Sequence, residues 1–143
     1  MFLVHNRPVA RPVDDSVAQL VNGRSQVIRN ARGYTPTYID IETNGFQTLA
    51  VGGHLSNTVA IAANDKIVLS QHIGDLDTPG SRQVMKSTVR DLTGIYNCRP
   101  KRVSCDLHAD YGSTAYAESL GLPIRRTQHH QAHILSCMVE NKL

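Results

Sequence analysis

Three short strand-like runs in close succession, followed by a regular alternation of helix and strand, predict an α/β domain built on one mixed sheet. Leu49–Val51, Thr58–Ala62 and Ile67–Gln71 are apolar runs separated only by loops holding Gly52-Gly53 and Asn64-Asp65, so they read as consecutive antiparallel strands. Met85, Val89, Leu92 and Tyr96 then recur at helical spacing. Beyond Pro100 the pattern alternates, with runs short enough to be strands and apolar enough to be buried.

Each element has a local cause. Val17–Val21 and Gln26–Arg29 flank Asn22-Gly23, a dipeptide that tolerates the positive φ of a tight turn, and predict a β-hairpin. A two-stranded hairpin is marginal alone in water, so it reads as the end of another module. Residues 33–47 hold Pro36 and two glycines with little apolar periodicity, which predicts a linker with a short strand at Tyr38–Ile41. After the three antiparallel strands, Thr78-Pro79 supplies an N-cap and a first-turn proline for a helix over 79–96. Val103–Leu107 reads as a buried strand, Ser113–Leu120 as a helix closed by Gly121, Ile124–Thr127 as a strand and His129–Asn141 as a last helix. From residue 48 onward the order is βββαβαβα, which resembles the ribonuclease H-like half-fold of actin-like ATPases. Fold class alone fixes no chemistry.

Composition narrows the function classes. With 143 residues, 41% hydrophobic and 19% charged, the chain can bury a core and is not disordered. No apolar run approaches the ~20 residues of a bilayer-spanning helix, so no membrane partner is expected. Cys98, Cys105 and Cys137 are an odd number at wide spacing, and MFLVHNRPVA carries no signal-like apolar segment, so a reducing cytoplasm is expected. The cysteines read as small buried apolar residues. The formal charge of +3 resides in residues 1–35, where Arg7, Arg11, Arg24, Arg29 and Arg32 oppose Asp14 and Asp15. That asymmetry suggests a separate, anion-handling segment. Arg99, Lys101 and Arg102, like Arg125-Arg126, lack interleaved aromatics and make a poor nucleic-acid surface.

Several residue groups carry chemistry. His129 and His133 are four apart, so on a helix their imidazoles share one face about 6 Å apart along the axis and can close on one ion. The same spacing also occurs on solvated helix faces. Asp106, His108 and Asp110 follow a strand, and in open α/β sheets ligands bind at the carboxyl ends of strands. Asp106 and Asp110 would equally serve as caps of the next helix. His108 and His72 are candidates for proton transfer or for hydrogen bonds to a substrate oxygen near neutral pH. Gly52, Gly53, Ser56, Asn57 and Thr58 join two strands where backbone N–H groups can cradle a phosphate. A plain hairpin turn is the competing reading there, and Asp75 reads as a turn residue. Tyr38-Ile-Asp-Ile-Glu-Thr-Asn-Gly45 resembles the first motif of DEDD-type 3′–5′ exonucleases, but the further carboxylate motifs of a two-metal nuclease are missing from the sequence.

Six segments in order resemble the HypF family of carbamoyltransferases of [NiFe]-hydrogenase maturation. They are Asp14-Asp-Ser-Val17, Arg29-Asn-Ala-Arg-Gly-Tyr34, Gly52-Gly-His-Leu-Ser-Asn-Thr58, Ser70-Gln-His-Ile-Gly-Asp-Leu76, Asp106-Leu-His-Ala-Asp-Tyr111 and Gln128-His-His-Gln-Ala-His133. The resemblance implies that residues 1–35 are the end of a YrdC-like domain, 36–47 a linker and 48–143 the first half of a TsaD-like carbamoyltransferase domain. It further implies ATP-dependent transfer of a carbamoyl group from carbamoyl phosphate, through a carbamoyl adenylate, to the C-terminal cysteine of a HypE-type acceptor. His129 and His133 would then hold Zn²⁺ or Fe²⁺, Asp106, His108 and His72 would serve the chemistry, and the Gly52–Thr58 stretch would contact ATP. Two departures from the family pattern each remove a cation: Ser56 where Lys is usual, and Asn30 where a second Arg is frequent. On this reading the second half of the transferase domain lies outside the chain. The isolated polypeptide is therefore expected to be inactive alone and to self-associate through Ile134, Leu135, Met138 and Val139; a non-catalytic, partner-binding fragment is the alternative.

Overall fold

A computed structural model describes residues 1–143. The hairpin forms as expected, with β1 (Val17–Val21) antiparallel to β2 (Arg24–Arg29) across Asn22 and Gly23, both at positive φ. It is a two-stranded sheet of its own and almost wholly exposed. Its base is tied to the rest of the chain by the His72 N–H donating to Asn30 O at 2.8 Å. A second tie is the 2.6 Å ion pair between Arg11 and Asp91.

The main sheet has six strands: β3 (Thr37–Asp40), β4 (Thr48–Ala50), β5 (Ala60–Ala63), β6 (Lys66–Leu69), β7 (Arg102–Asp106) and β8 (Ile124–Thr127), in the spatial order β3-β6-β5-β4-β7-β8. The first three joints are antiparallel, and β4-β7 and β7-β8 are parallel. The mixed α/β sheet expected from the sequence is therefore present. The short strand expected inside the linker forms as β3, and beyond that expectation it joins the main sheet, pairing with β6 from Thr37↔Leu69 to Asp40↔Lys66. As an edge strand it is only half-buried, which is why its apolar periodicity is weak. It is fastened by the 2.7 Å Lys66–Asp40 ion pair and by the Asp65 carboxylate, which accepts the Thr43 N–H at 2.9 Å and the Thr43 hydroxyl at 2.7 Å.

Three helices accompany the parallel half: α1 (Pro79–Ile95) and α2 (Gly112–Ser119) lead into β7 and β8, and α3 (His129–Glu140) follows β8. Helix α1 begins as its sequence dictates, with the Thr78 hydroxyl accepting the Ser81 N–H at 3.1 Å and Pro79 in the first turn. Removing that cap by Thr78→Ala is expected to lower stability by about 1 kcal/mol, read from the urea midpoint. Met85, Val89 and Leu92 of α1 pack into a core with Leu49, Ile61 and Val103 of the sheet. Cys98 and Cys105 are buried there, and burial pushes both thiols above their ordinary range. Cys137 departs from expectation and is exposed, because α3 has no buried residue. Ile134, Leu135, Met138 and Val139 of that helix are exposed as well. No helix is long and apolar enough to cross a membrane.

Candidate functional site

Strands β4, β7 and β8 run parallel and side by side, so their carboxyl ends open on one cleft of about 720 Å³. Gly52, Gly53, Ser56 and Thr58 line it from the β4–β5 loop, Asp106 from the end of β7, and His129 and His133 from α3. This is the strand-end position at which open α/β sheets bind ligands.

The glycine turn is shaped by its own residues. Gly52 has φ +68, and a Cβ there would lie 2.3 Å from Thr58 O, so only glycine fits. Asn57, expected to contact a cofactor, is 1% exposed and does not line the cleft. Its side-chain amide donates to Val51 O at 2.8 Å and to Gly53 O at 2.6 Å, and its backbone bonds with Ile73 and Gly74. Asn57 therefore holds the turn in place. The Ser56 N–H donates to Asp75 Oδ1 at 2.7 Å, which makes Asp75 a second fastening of the same loop. The N–H groups of Gly52 and Gly53 find no acceptor within the chain, the state in which a glycine turn can receive a phosphate.

Across the cleft, the Nε2 atoms of His129 and His133 lie 3.1 Å apart with the rings in a T-shaped arrangement. His129 Nδ1 lies 2.6 Å from Asp106 Oδ2. A carboxylate on Nδ1 places the proton there and leaves the Nε2 lone pair directed at the gap. Asp106, expected among the reacting groups, thus orients the histidine. Burial works against its charge, yet the His108 N–H, donated at 3.0 Å, and the His129 imidazole hold its carboxyl below the usual carboxylate range. The two imidazoles suit a borderline ion such as Zn²⁺ or Fe²⁺ as two of its ligands. Asp106 faces the other ring nitrogen of His129, and no third His, Cys, Asp or Glu stands with the two Nε2 atoms to complete a metal's ligand set here. Replacing Asp106 with alanine is expected to weaken zinc binding by the pair about 10- to 100-fold, the usual consequence of losing a carboxylate behind a ligating histidine. Calorimetric titration measures it.

Two expected participants lie elsewhere. His108 does not line the cleft; its ring stacks on Tyr111 with centroids 4.3 Å apart. His72 follows β6 and stands with its Nε2 3.8 Å from Asp14 Oδ2, on the amino-terminal segment. Asp110 does not cap α2, whose N-cap Tyr111 makes no side-chain bond. Asp40 and Glu42, the carboxylates of the nuclease-like motif, sit at edge strand β3, where Lys66 engages Asp40, away from the cleft. His54 and Tyr111 also line the cleft; both lie in the segments that carry the family resemblance, but sequence reasoning gave neither a role.

Comparison with known proteins agrees with this architecture. Residues 43–140 match the model of the HypF Kae1-like domain. Carbamoyltransferase HypF of Synechocystis sp. is 45% identical over 98% of the chain, and that of Rhizobium leguminosarum bv. viciae 35% identical over all of it. The chain spans 18% and 19% of those two proteins, about a fifth of their length. Among solved structures, full-length HypF in its phosphate- and nucleotide-bound form superposes with a TM-score of 0.88 at 38% identity, covering 99% of this chain and 22% of that one. T. kodakarensis HypF gives 0.81 at 32% identity, covering 92% of this chain and 18% of that one. With most of its length matched by that family's model, and with the same fold at substantial identity, the chain belongs to the HypF carbamoyltransferase family.

Proposed function

We propose that this chain contributes the metal-holding and phosphate-facing part of a carbamoyltransferase of [NiFe]-hydrogenase maturation, with residues 48–143 as the first half of the transferase domain and residues 1–35 as the end of a YrdC-like domain. The reaction is ATP-dependent transfer of a carbamoyl group from carbamoyl phosphate, through a carbamoyl adenylate, to the C-terminal cysteine of a HypE-type acceptor. The observation that carries this reading is the juxtaposition of an Asp106-buttressed histidine pair with a glycine turn: a Cβ on Gly53 would stand 3.7 Å from His129 Cε1.

Each residue has a task on this reading. His129 and His133 hold Zn²⁺ or Fe²⁺, with Asp106 fixing the tautomer of His129. When bound, that ion supplies Lewis acidity at a phosphate or carbamoyl oxygen. The N–H groups of Gly52 and Gly53 receive a phosphate of ATP through their backbone dipoles, which need no side-chain charge, so Ser56 in place of lysine weakens the turn as a phosphate site without abolishing it. Leu55 and Leu135 give the cleft apolar walls that help exclude water from an adenylate. The buried, high-pKa thiols of Cys98 and Cys105 are poor nucleophiles, which agrees with an acceptor cysteine on the partner.

The test is a chimera in which these 143 residues replace the matching region of the Synechocystis sp. relative. Incubated with ATP, carbamoyl phosphate and a HypE-type acceptor, it is expected to add one carbamoyl group to the acceptor, seen by intact mass, in a reaction that needs both small molecules. A folded chimera that never labels the acceptor would refute the proposal.

A further inference from the structure

His54 joins three loops at the edge of the cleft. Its side chain is only 16% exposed. Nδ1 accepts the N–H of Gly112, the first residue of α2, at 3.0 Å, and Nε2 lies 2.9 Å from Asp77 Oδ1, just before the α1 cap Thr78. An imidazole that accepts at Nδ1 and faces a carboxylate at Nε2 satisfies both neighbours with its single proton on Nε2. The surroundings therefore select one neutral tautomer. The His54 carbonyl also accepts the Leu76 N–H at 3.0 Å. Arg82 braces that same loop by donating to Leu76 O at 2.8 Å and to Asp77 O at 2.9 Å.

The ring is packed as well as bonded. Tyr111 lies against it at 5.5 Å between centroids, and a Cβ on Gly112 would come within 3.5 Å of Nδ1. One residue thus gathers the β4–β5, β6–α1 and β7–α2 loops, which are remote in sequence. Its neighbour Gly53 is the residue that faces His129, so whatever fixes His54 also sets the gap between the glycine turn and the histidine pair.

We propose that His54, as its Nε2–H tautomer, is the positioning residue that holds the glycine turn at a fixed distance from His129 and so presents the turn to a phosphate-bearing substrate. The proposal rests on the reading of the cleft as a phosphate and metal site. A side chain that only filled space would be replaceable by an apolar residue of similar size. One that acts through two directed bonds is not, and its two bonds separate chemically. Asparagine places an acceptor near Nδ1 and can keep Gly112; glutamine extends a donor toward Asp77.

Amide hydrogen exchange of the full 143-residue chain tests the anchor. In His54→Leu, exchange is expected to rise about tenfold in the segments 52–56, 76–78 and 110–114 while β5, β6 and the middle of α1 stay protected. His54→Asn should restore protection at 110–114, and His54→Gln at 76–78. In the chimera, His54→Leu should raise KM for ATP about tenfold with a smaller change in kcat, and the Asn and Gln variants should each recover part of it. Unchanged exchange, or a uniform rise across the chain, would overturn the role of His54. A local rise in exchange with KM for ATP unmoved would instead overturn the reading of the turn as a phosphate site and leave the anchor standing.

Discussion

Replacing His129 or His133 with alanine is expected to abolish zinc binding by the chain. Each histidine contributes one Nε2 to a gap of 3.1 Å, so either substitution removes half of the imidazole donors facing an ion there. A divalent zinc or iron ion needs three or four ligands in a protein site, and a single remaining imidazole is no better than a solvated surface histidine. Calorimetric titration with zinc is the direct measurement. His130→Ala provides the comparison: that residue is exposed and projects about 100° around the helix from His129, so its variant should bind zinc as the parent does. In the chimera, His129→Ala and His133→Ala are each expected to lower acceptor carbamoylation by at least ~100-fold, since losing a ligand should cost at least as much as losing the carboxylate behind it. Zinc binding that persists unchanged in both variants would refute the assignment.

The second large effect is expected from Gly52→Ala. At φ +68 a residue with a Cβ costs about 1–2 kcal/mol relative to glycine. The added methyl would also stand 2.3 Å from the backbone oxygen of Thr58, an atom that cannot swing aside as a side chain can. The turn must therefore rebuild. It is buttressed by Asn57, whose amide bonds to Val51 O and Gly53 O would be disturbed too. A loss of at least ~3 kcal/mol in unfolding free energy is expected, a large share of the ~5–15 kcal/mol that holds a typical domain together. Gly53→Ala separates strain from composition: its φ is not positive and its Cβ would make only an ordinary 3.7 Å contact, so its stability should stay within about 0.5 kcal/mol of the parent. Urea denaturation of both variants decides the matter. A Gly52→Ala chain with the parental midpoint would mean that the turn is not built on this residue.

What the sequence determined by itself is whatever depends on neighbours a few residues away. The Asn22-Gly23 hairpin, the Thr78-capped helix carrying Met85, Val89 and Leu92, and the alternation after Pro100 all follow from turn chemistry and periodicity, and the structure has them within a residue or two. The spacing of His129 and His133 on one helix face is equally local. Sheet order is not. Because β4, β7 and β8 are adjacent and parallel, the glycine turn, Asp106 and His129 come to one end of the sheet, and Asp106 falls under His129 as its orienting partner. His72 leaves β6 two strands away from β4, about 10 Å across the sheet, and is engaged there by Asn30 and Asp14. His108 follows Asp106 by two residues, but its N–H is turned onto the Asp106 carboxylate and its ring onto Tyr111, so proximity in sequence carried it out of the cleft. The exposure of Cys137, the addition of β3 to the sheet edge and the three-loop contact of His54 have the same origin. Spacing along a chain fixes which side chains share a face of their own element, whereas which loops share a cleft is fixed by the pairing of strands far apart in sequence, a choice made by burial of the common core.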